Sequence, residues 1–124
     1  MKILVVDDEQ DVQTLFQQRF RKEIRKGELE FMFAFSGEEA LETLRNMEQE
    51  AVLILSDINM PGMSGLQLLE TIKKDFVTPP PVVMMVTAYA DDDNFNTAKA
   101  LGADDFLTKP VDFKLLKQKL IQQI

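Results

Sequence analysis

The sequence predicts an α/β fold in which an open, parallel sheet of five strands carries helices on both faces. Short apolar runs rich in Val and Ile recur along the chain, as expected of strands buried on both faces of a parallel sheet. Segments with helical spacing of apolar residues alternate with these runs, and right-handed crossovers then place the carboxyl ends of all strands at one edge. The predicted strands cover residues 3–6, 30–35, 52–55, 82–86 and 105–107.

Apolar spacing and capping residues predict where the helices begin and end. One face of the first helix is apolar, and a glycine ends this helix. The residues concerned are Val12, Leu15, Phe16, Phe20, Ile24 and, at the end, Gly27. Serine–acid or serine–glutamine pairs predict capping boxes, a glycine ends the fourth helix and an aspartate caps the last one. These positions are Ser36 with Glu39, Ser64 with Gln67, Gly102 and Asp112.

Length and composition exclude several classes of protein. The 124 residues predict a single domain, residues 1–124. The longest apolar runs are too short to span a bilayer, so we expect no membrane partner. The absence of Cys suits a reducing compartment, and we expect a cytoplasmic protein. The chain has no His and no Cys, and therefore no imidazole or thiolate ligand. Its net charge is −7, and its one basic cluster, residues 19–26, is typical of a solvated helix face. We expect no direct nucleic-acid binding.

Polar residues follow four of the predicted strands at the point where each strand ends. Asp7 and Asp8 end the first strand, Asp57 the third and Thr87 the fourth, and Lys109 follows the fifth. Each feature alone is weak, since such residues commonly cap helices or lie in solvated turns. Together they predict that three carboxylates, a hydroxyl and an ammonium meet at one edge of the sheet.

This set of groups favours metal-assisted phosphoryl chemistry. Two carboxylates about 4 Å apart repel by roughly 4 kcal/mol at an effective dielectric near 20, so three need a cation. Hard oxygen ligands suit Mg²⁺ or Mn²⁺. A carboxylate can also attack phosphorus to form an aspartyl phosphate, with Lys109 and Thr87 placed to neutralise the equatorial oxygens.

Four segments around the predicted site form a recognisable set: VVDDEQDV, LSDINMPGMSGLQLL, VTAYA and GADDFLTKP. On these segments the chain resembles, from end to end, the receiver domains of two-component response regulators, the CheY-like superfamily. It implies a flavodoxin-like (βα)5 fold with strand order 2-1-3-4-5. It also implies that a sensor histidine kinase or a His-containing phosphotransfer protein phosphorylates Asp57.

The resemblance also implies the metal ligands. Mg²⁺ would bind Asp8, Asp57 and the backbone carbonyl of Asn59, and Asp7 would act through water. Asn59 is in addition a position that varies in the family near the phosphoryl group, as is Tyr89. A bulky Tyr89 would hinder the attacking water and lengthen the lifetime of the phosphoryl group, unless it is a solvent-facing or partner-contacting aromatic.

Further positions are expected to bind the phosphoryl group or to respond to it. Lys109 would pair with the group, and the Lys109–Pro110 peptide would be cis. Thr87 would move towards a phosphoryl oxygen while Phe106, the family's switch aromatic, turns inward, unless Phe106 simply packs in the core. This change would remodel the face made by the fourth helix, the fifth strand and the fifth helix. We expect that face to bind a partner, an output domain or a second copy in a phosphorylation-dependent homodimer.

Two other functions remain open at this point. An aspartate-nucleophile phosphohydrolase of the haloacid dehalogenase type uses similar groups, but it places D-x-D after the first strand, whereas Asp7 and Asp8 are adjacent. A flavodoxin-like interaction module that is not phosphorylated is the other alternative. We expect a signalling phospho-acceptor that catalyses only its own phosphorylation and dephosphorylation. The chain is expected to be either a stand-alone receiver or the receiver of a longer protein.

Overall fold

The computed structural model of the protein describes residues 1–47, 52–76, 81–87 and 91–122. Five parallel strands form one sheet in the order β2-β1-β3-β4-β5, which confirms the predicted fold and strand order. The strands are β1 (Lys2–Val6), β2 (Glu30–Ala34), β3 (Val52–Asp57), β4 (Val82–Thr87) and β5 (Asp105–Thr108). The helices are α1 (Asp11–Arg19), α2 (Arg21–Arg25), α3 (Gly37–Asn46), α4 (Gly65–Asp75), α5 (Asp92–Ala100) and α6 (Phe113–Gln122).

Both faces of the sheet are buried, because successive side chains of a strand point to opposite faces. In β1, Leu4 and Val6 belong to one apolar core, whereas Ile3 and Val5 belong to the other. All four side chains are at most 3% exposed. Such two-sided burial explains why this strand is a continuous apolar run with no alternation of polar residues.

The first helix differs from the prediction, which extended one helix to Gly27. The backbone breaks at Phe20, where φ is −110° and ψ is 24°, and α2 follows as a separate short helix. After this break Glu23 is buried and Ile24 is 37% exposed, the reverse of the predicted apolar face. The carboxylate of Glu23 instead accepts a hydrogen bond from Lys117 of α6 at 2.9 Å. Gly27 does follow the helix, with a φ of +74°.

The predicted helix caps are largely confirmed. Ser64 and Gln67 form a complete capping box at the start of α4. The Ser36 box is only half formed, because Glu39 accepts a hydrogen bond from the Phe35 N–H at 3.3 Å. The last helix begins as predicted, since the Asp112 carboxylate accepts hydrogen bonds from two backbone N–H groups at its start. Within the described ranges, no helix is both long enough and apolar enough to cross a membrane.

Candidate functional site

The carboxyl ends of the strands bring the predicted site residues to one edge of the sheet. Asp7 and Asp8 directly follow β1, and Asp57 is the last residue of β3. One carboxylate oxygen from each of these three residues lies within 4.8 Å of the other two. Thr87 ends β4, and its carbonyl accepts a hydrogen bond from the Lys109 N–H at 2.9 Å, which fixes the start of the segment after β5.

The centre of the site is an ion pair between Asp57 and Lys109. Asp57 is 6% exposed, and its Oδ2 accepts a hydrogen bond from Lys109 Nζ at 2.6 Å. Its Oδ1 faces the backbone N–H of Asn59 at 3.4 Å. Asp7 Oδ2 lies 3.9 Å from the same ammonium. The Lys109 ammonium is thus shared between the carboxylates of Asp57 and Asp7. The peptide bond that follows, Lys109–Pro110, is cis, as predicted.

The electrostatics follow from burial and from this pairing. Burial raises the pKa of Asp7, and the nearby charges of Asp57 and Glu9 add to that rise, although the Glu9 N–H and Lys109 oppose it. Burial alone would lower the pKa of Lys109, but the hydrogen bond and the charge of Asp57 outweigh it, so that pKa is raised. The ammonium therefore stays charged, whereas the Asp7 carboxylate carries its charge at a cost.

The donor set fits a hard divalent cation. The three clustered side chains offer only carboxylate oxygens, and they range from buried Asp57 through half-buried Asp7 to exposed Asp8. Mg²⁺ commonly takes one or two carboxylates and keeps several waters, so an exposed ligand on one side suits it. A single ammonium leaves the cluster with excess negative charge, which such a cation would neutralise.

Gly65 belongs to the site, although its role was not predicted. It is the glycine of the segment D-x-x-M-P-x-x-x-G that begins at Asp57, and it starts α4. A Cβ at this position would lie 2.0 Å from the Asp57 carbonyl oxygen and 2.7 Å from the Ile58 Cα. The Gly65 N–H donates to the Ile58 carbonyl at 2.8 Å. Only a residue without a side chain lets α4 begin directly against the end of β3.

Of the two aromatic residues singled out in the sequence, Phe106 and Tyr89, the structure describes only Phe106. Phe106 is half-buried on β5, and its ring centroid lies 4.3 Å from that of Phe95 on α5. It therefore lies on the predicted output face, which in the numbering used here is α5, β5 and α6. Tyr89 lies outside the described residues.

Comparison with known proteins gives a consistent result. The family model described as the response regulator receiver domain matches residues 3–121. The chain is 32% identical over 120 residues to a cyclic di-GMP phosphodiesterase from Thermotoga maritima, and these residues are 97% of the chain. It is 38% identical over 91 residues, 73% of the chain, to the transcriptional regulatory protein CrdR from Helicobacter pylori. The chain spans only 30% and 41% of the lengths of these two relatives.

A solved structure agrees in fold over the full length. The chemotaxis response regulator CheY4 of Vibrio cholerae is 25% identical, with a TM-score of 0.79, and the match covers 99% of this chain and 98% of that one. Receiver domains of this family are signalling domains that bind Mg²⁺ at an acidic pocket and interact with histidine kinases or phosphotransfer proteins. A phospho-acceptor role fits that family. The chain belongs to the response regulator receiver domain family.

Proposed function

We propose that Asp57 is the residue that accepts the phosphoryl group. The observation that carries this proposal is the environment of its carboxylate. It is buried at a strand end, bound to the Lys109 ammonium at 2.6 Å, and clustered with the carboxylates of Asp7 and Asp8. A nucleophilic carboxylate needs cationic groups nearby, because the incoming phosphoryl group is itself an anion.

The chemistry is a single displacement at phosphorus. A carboxylate oxygen of Asp57 forms a bond to phosphorus as the bond between phosphorus and the imidazole nitrogen of a donor phosphohistidine breaks. The imidazole leaves with that electron pair. Lys109 then shifts its contact from the carboxylate to a phosphoryl oxygen, and the Thr87 hydroxyl donates to another. The chain thereby catalyses only its own phosphorylation and its own dephosphorylation.

The same cluster of carboxylates at the strand ends is the proposed metal site. Asp8 and Asp57 would hold Mg²⁺ or Mn²⁺ together with the backbone carbonyl of Asn59, and Asp7 would orient metal-bound water. Bound Mg²⁺ supplies positive charge that offsets the charge of the phosphoryl oxygens. The backbone N–H of Asn59, which faces Asp57 Oδ1 at 3.4 Å, helps to orient the acceptor carboxylate.

Incubation with acetyl phosphate tests this function. We expect intact-mass spectrometry to show one phosphoryl group per chain, dependent on Mg²⁺ and absent from Asp57→Asn. Asp93→Asn, which changes an exposed aspartate on α5, is the matched control and keeps the label. Unlabelled wild-type protein would favour an interaction module that is not phosphorylated. Continuous hydrolysis of a generic phosphate monoester would favour a phosphohydrolase.

The proposed output is a change in packing at Phe106. Its ring is half-buried against Phe95, so movement of Thr87 towards the phosphoryl group would let it turn further inward and alter α5, β5 and α6. On that face Lys119 Nζ contacts both carboxylate oxygens of Asp105, at 2.9 and 2.8 Å. Structures of the free and beryllofluoride-bound protein should show two rotamers of Phe106. The same rotamer in both would reject the switch.

The face made by α5, β5 and α6 is the proposed contact for an output domain, a partner or a phosphorylation-dependent second copy. The proposed phosphodonor is a sensor histidine kinase or a His-containing phosphotransfer protein.

Tyr89 is proposed to slow attack by water on the aspartyl phosphate, a prediction that comes from its sequence position alone. The rate of dephosphorylation of Tyr89→Ala should exceed that of the wild type.

A further inference from the structure

A cavity of about 520 Å³ opens beside the phosphoryl site and extends well beyond the groups that the proposed chemistry uses. Its wall includes residues of β1, α1, β3 and β4, and of the segment between β5 and α6. Asp7, Asp57 and Lys109 line one part, and the rest is mostly apolar. A phosphoryl group with its metal needs only the polar part. The remaining volume therefore has no assigned occupant.

The residues that line the apolar part of the cavity differ in exposure. Val5, Phe16 and Leu55 are only 2–3% exposed, whereas Leu15 is 39% exposed. Phe113 faces Phe16 in an edge-to-face arrangement with ring centroids 5.1 Å apart. Val12 of α1 is half-buried at the same cavity. A largely preformed apolar cavity of this volume with a few convergent polar groups is typical of small-molecule sites.

The polar part of the cavity selects the charge of an occupant. Three carboxylates line it, those of Asp7, Glu9 and Asp57, against the single ammonium of Lys109. That ammonium is already bound to Asp57 at 2.6 Å. The surplus negative charge attracts a cationic group and repels an anionic one. An occupant complementary to the whole cavity therefore has an apolar body and a positive end.

We infer that this cavity binds a small amphipathic cation, an amine or amidine on an aromatic or branched aliphatic body. The body lies in the apolar part against Leu15 and Phe113, and the cationic group lies near Asp7 and Glu9. Such an occupant neutralises the carboxylates and covers Asp57, so it slows phosphorylation. That consequence rests on the proposed function, whereas the binding itself does not.

A ligand series that differs only in charge tests the binding. Phenylbutylamine, phenylbutanol and phenylbutyrate are titrated into isotopically labelled protein, without Mg²⁺ or phosphodonor, and followed by NMR. We expect saturable shifts at Val12, Phe16 and Phe113, with the amine bound about tenfold more tightly than the alcohol because of the added charge attraction. The carboxylate should bind most weakly of the three.

Two variants of α1 locate the site. Val12→Phe adds an aromatic ring to the wall of the apolar part and should weaken amine binding at least about tenfold, since it narrows the space for the body. Thr14→Phe places the same side chain at an exposed position of the same helix that does not line the cavity, and should bind the amine as the wild type does. Thermal unfolding of both variants checks that they fold.

Three results would overturn the inference. They are equal affinity for the three ligands, shifts that lie away from the cavity, and unchanged amine binding by folded Val12→Phe. If Val12→Phe does not fold, the shift map and the charge series of the wild type still decide. Failure of the wild-type protein to accept a phosphoryl group contradicts the proposed function, while the binding data stand independently of it.

Discussion

At the scale of single residues, the site is an arrangement of charges that oppose each other. Three carboxylates cluster at the site, but the Lys109 ammonium contacts only two of them, and the closest contact joins it to Asp57 at 2.6 Å. Asp7 receives less of that attraction, with its oxygen 3.9 Å from the ammonium, and burial raises its pKa. The free protein therefore holds a carboxylate whose ionisation disfavours the folded state. These charges therefore lower the stability of the folded protein, a cost that is common at functional sites.

Asp7→Asn should stabilise the metal-free protein. The variant keeps an oxygen that can accept the hydrogen bond of the Glu9 N–H, now 2.9 Å from the carboxylate, and it removes the costly charge. We expect a gain of about 1 kcal/mol in the free energy of unfolding in EDTA at neutral pH. A raised pKa in the folded state means that this difference shrinks as the pH falls through that pKa. Urea unfolding with Asp93→Asn as control measures it, and a loss of stability would contradict the account.

The ionisation of Glu23 has the opposite effect on stability, because it favours the folded state. The hydrogen bond from Lys117 lowers its pKa, although burial opposes that effect. Glu23→Gln should therefore cost roughly 1 kcal/mol at neutral pH. Because the folded pKa is depressed, the advantage of the wild type is complete above the ordinary glutamate pKa. It disappears as the pH falls through the lower, folded value.

Urea unfolding at a series of acidic pH values measures this difference, with Glu42→Gln, an exposed change on α3, as the control. A difference that stays constant from neutral pH to below the folded pKa would show that Glu23 does not ionise as described.

At the scale of elements, the approach of α4 to the end of β3 places the acceptor carboxylate. The Ser64 cap starts this helix, and Gly65 allows its first turn to lie against the backbone of Asp57. The sequence signals the cap directly, since serine and glutamine stand three residues apart. The need for glycine is not visible in this way, because it arises from a contact with another element.

Gly65→Ala should therefore displace Asp57 as well as destabilise the fold. Its Cβ would lie 2.0 Å from a backbone oxygen that has no freedom to yield. We expect a loss of about 2–4 kcal/mol in the free energy of unfolding, together with slower phosphorylation by acetyl phosphate. Gly37→Ala is the control, because the nearest atoms there, at 2.9 Å, belong to the flexible side chain of Met63. Equal effects of the two substitutions would contradict this explanation.

At the scale of the whole molecule, the fold was predictable because β1, β3 and β4 each contain a continuous apolar run of at least four residues, and weaker apolar segments mark β2 and β5. The carboxyl ends of all five strands then lie at one edge because the strands are parallel, and sheets of this kind bind ligands at that edge. The convergence of Asp7, Asp8, Asp57 and Lys109 was predictable for the same reason. The distances between these residues were not predictable, since the sequence does not show which carboxylate pairs with the Lys109 ammonium.

The prediction of one continuous first helix was wrong, because a long-range contact overrides the local spacing of apolar residues. The apolar residues near the end of the first helix match a continuous helix that buries Ile24. The structure instead breaks at Phe20 and buries Glu23, whose partner Lys117 lies 94 residues further along the chain. A long-range ion pair between a buried carboxylate and a half-exposed lysine leaves no local signal in the sequence.

The central claim, that Asp57 carries the phosphoryl group, has a direct chemical test. Borohydride reduces an aspartyl phosphate to homoserine, and peptide sequencing by mass spectrometry then identifies the reduced residue. After incubation with acetyl phosphate and Mg²⁺, we expect homoserine at position 57 and unmodified aspartate at Asp7 and Asp8. Homoserine at either of those two positions, or at none of the three in protein that carries a phosphoryl group, would contradict the account.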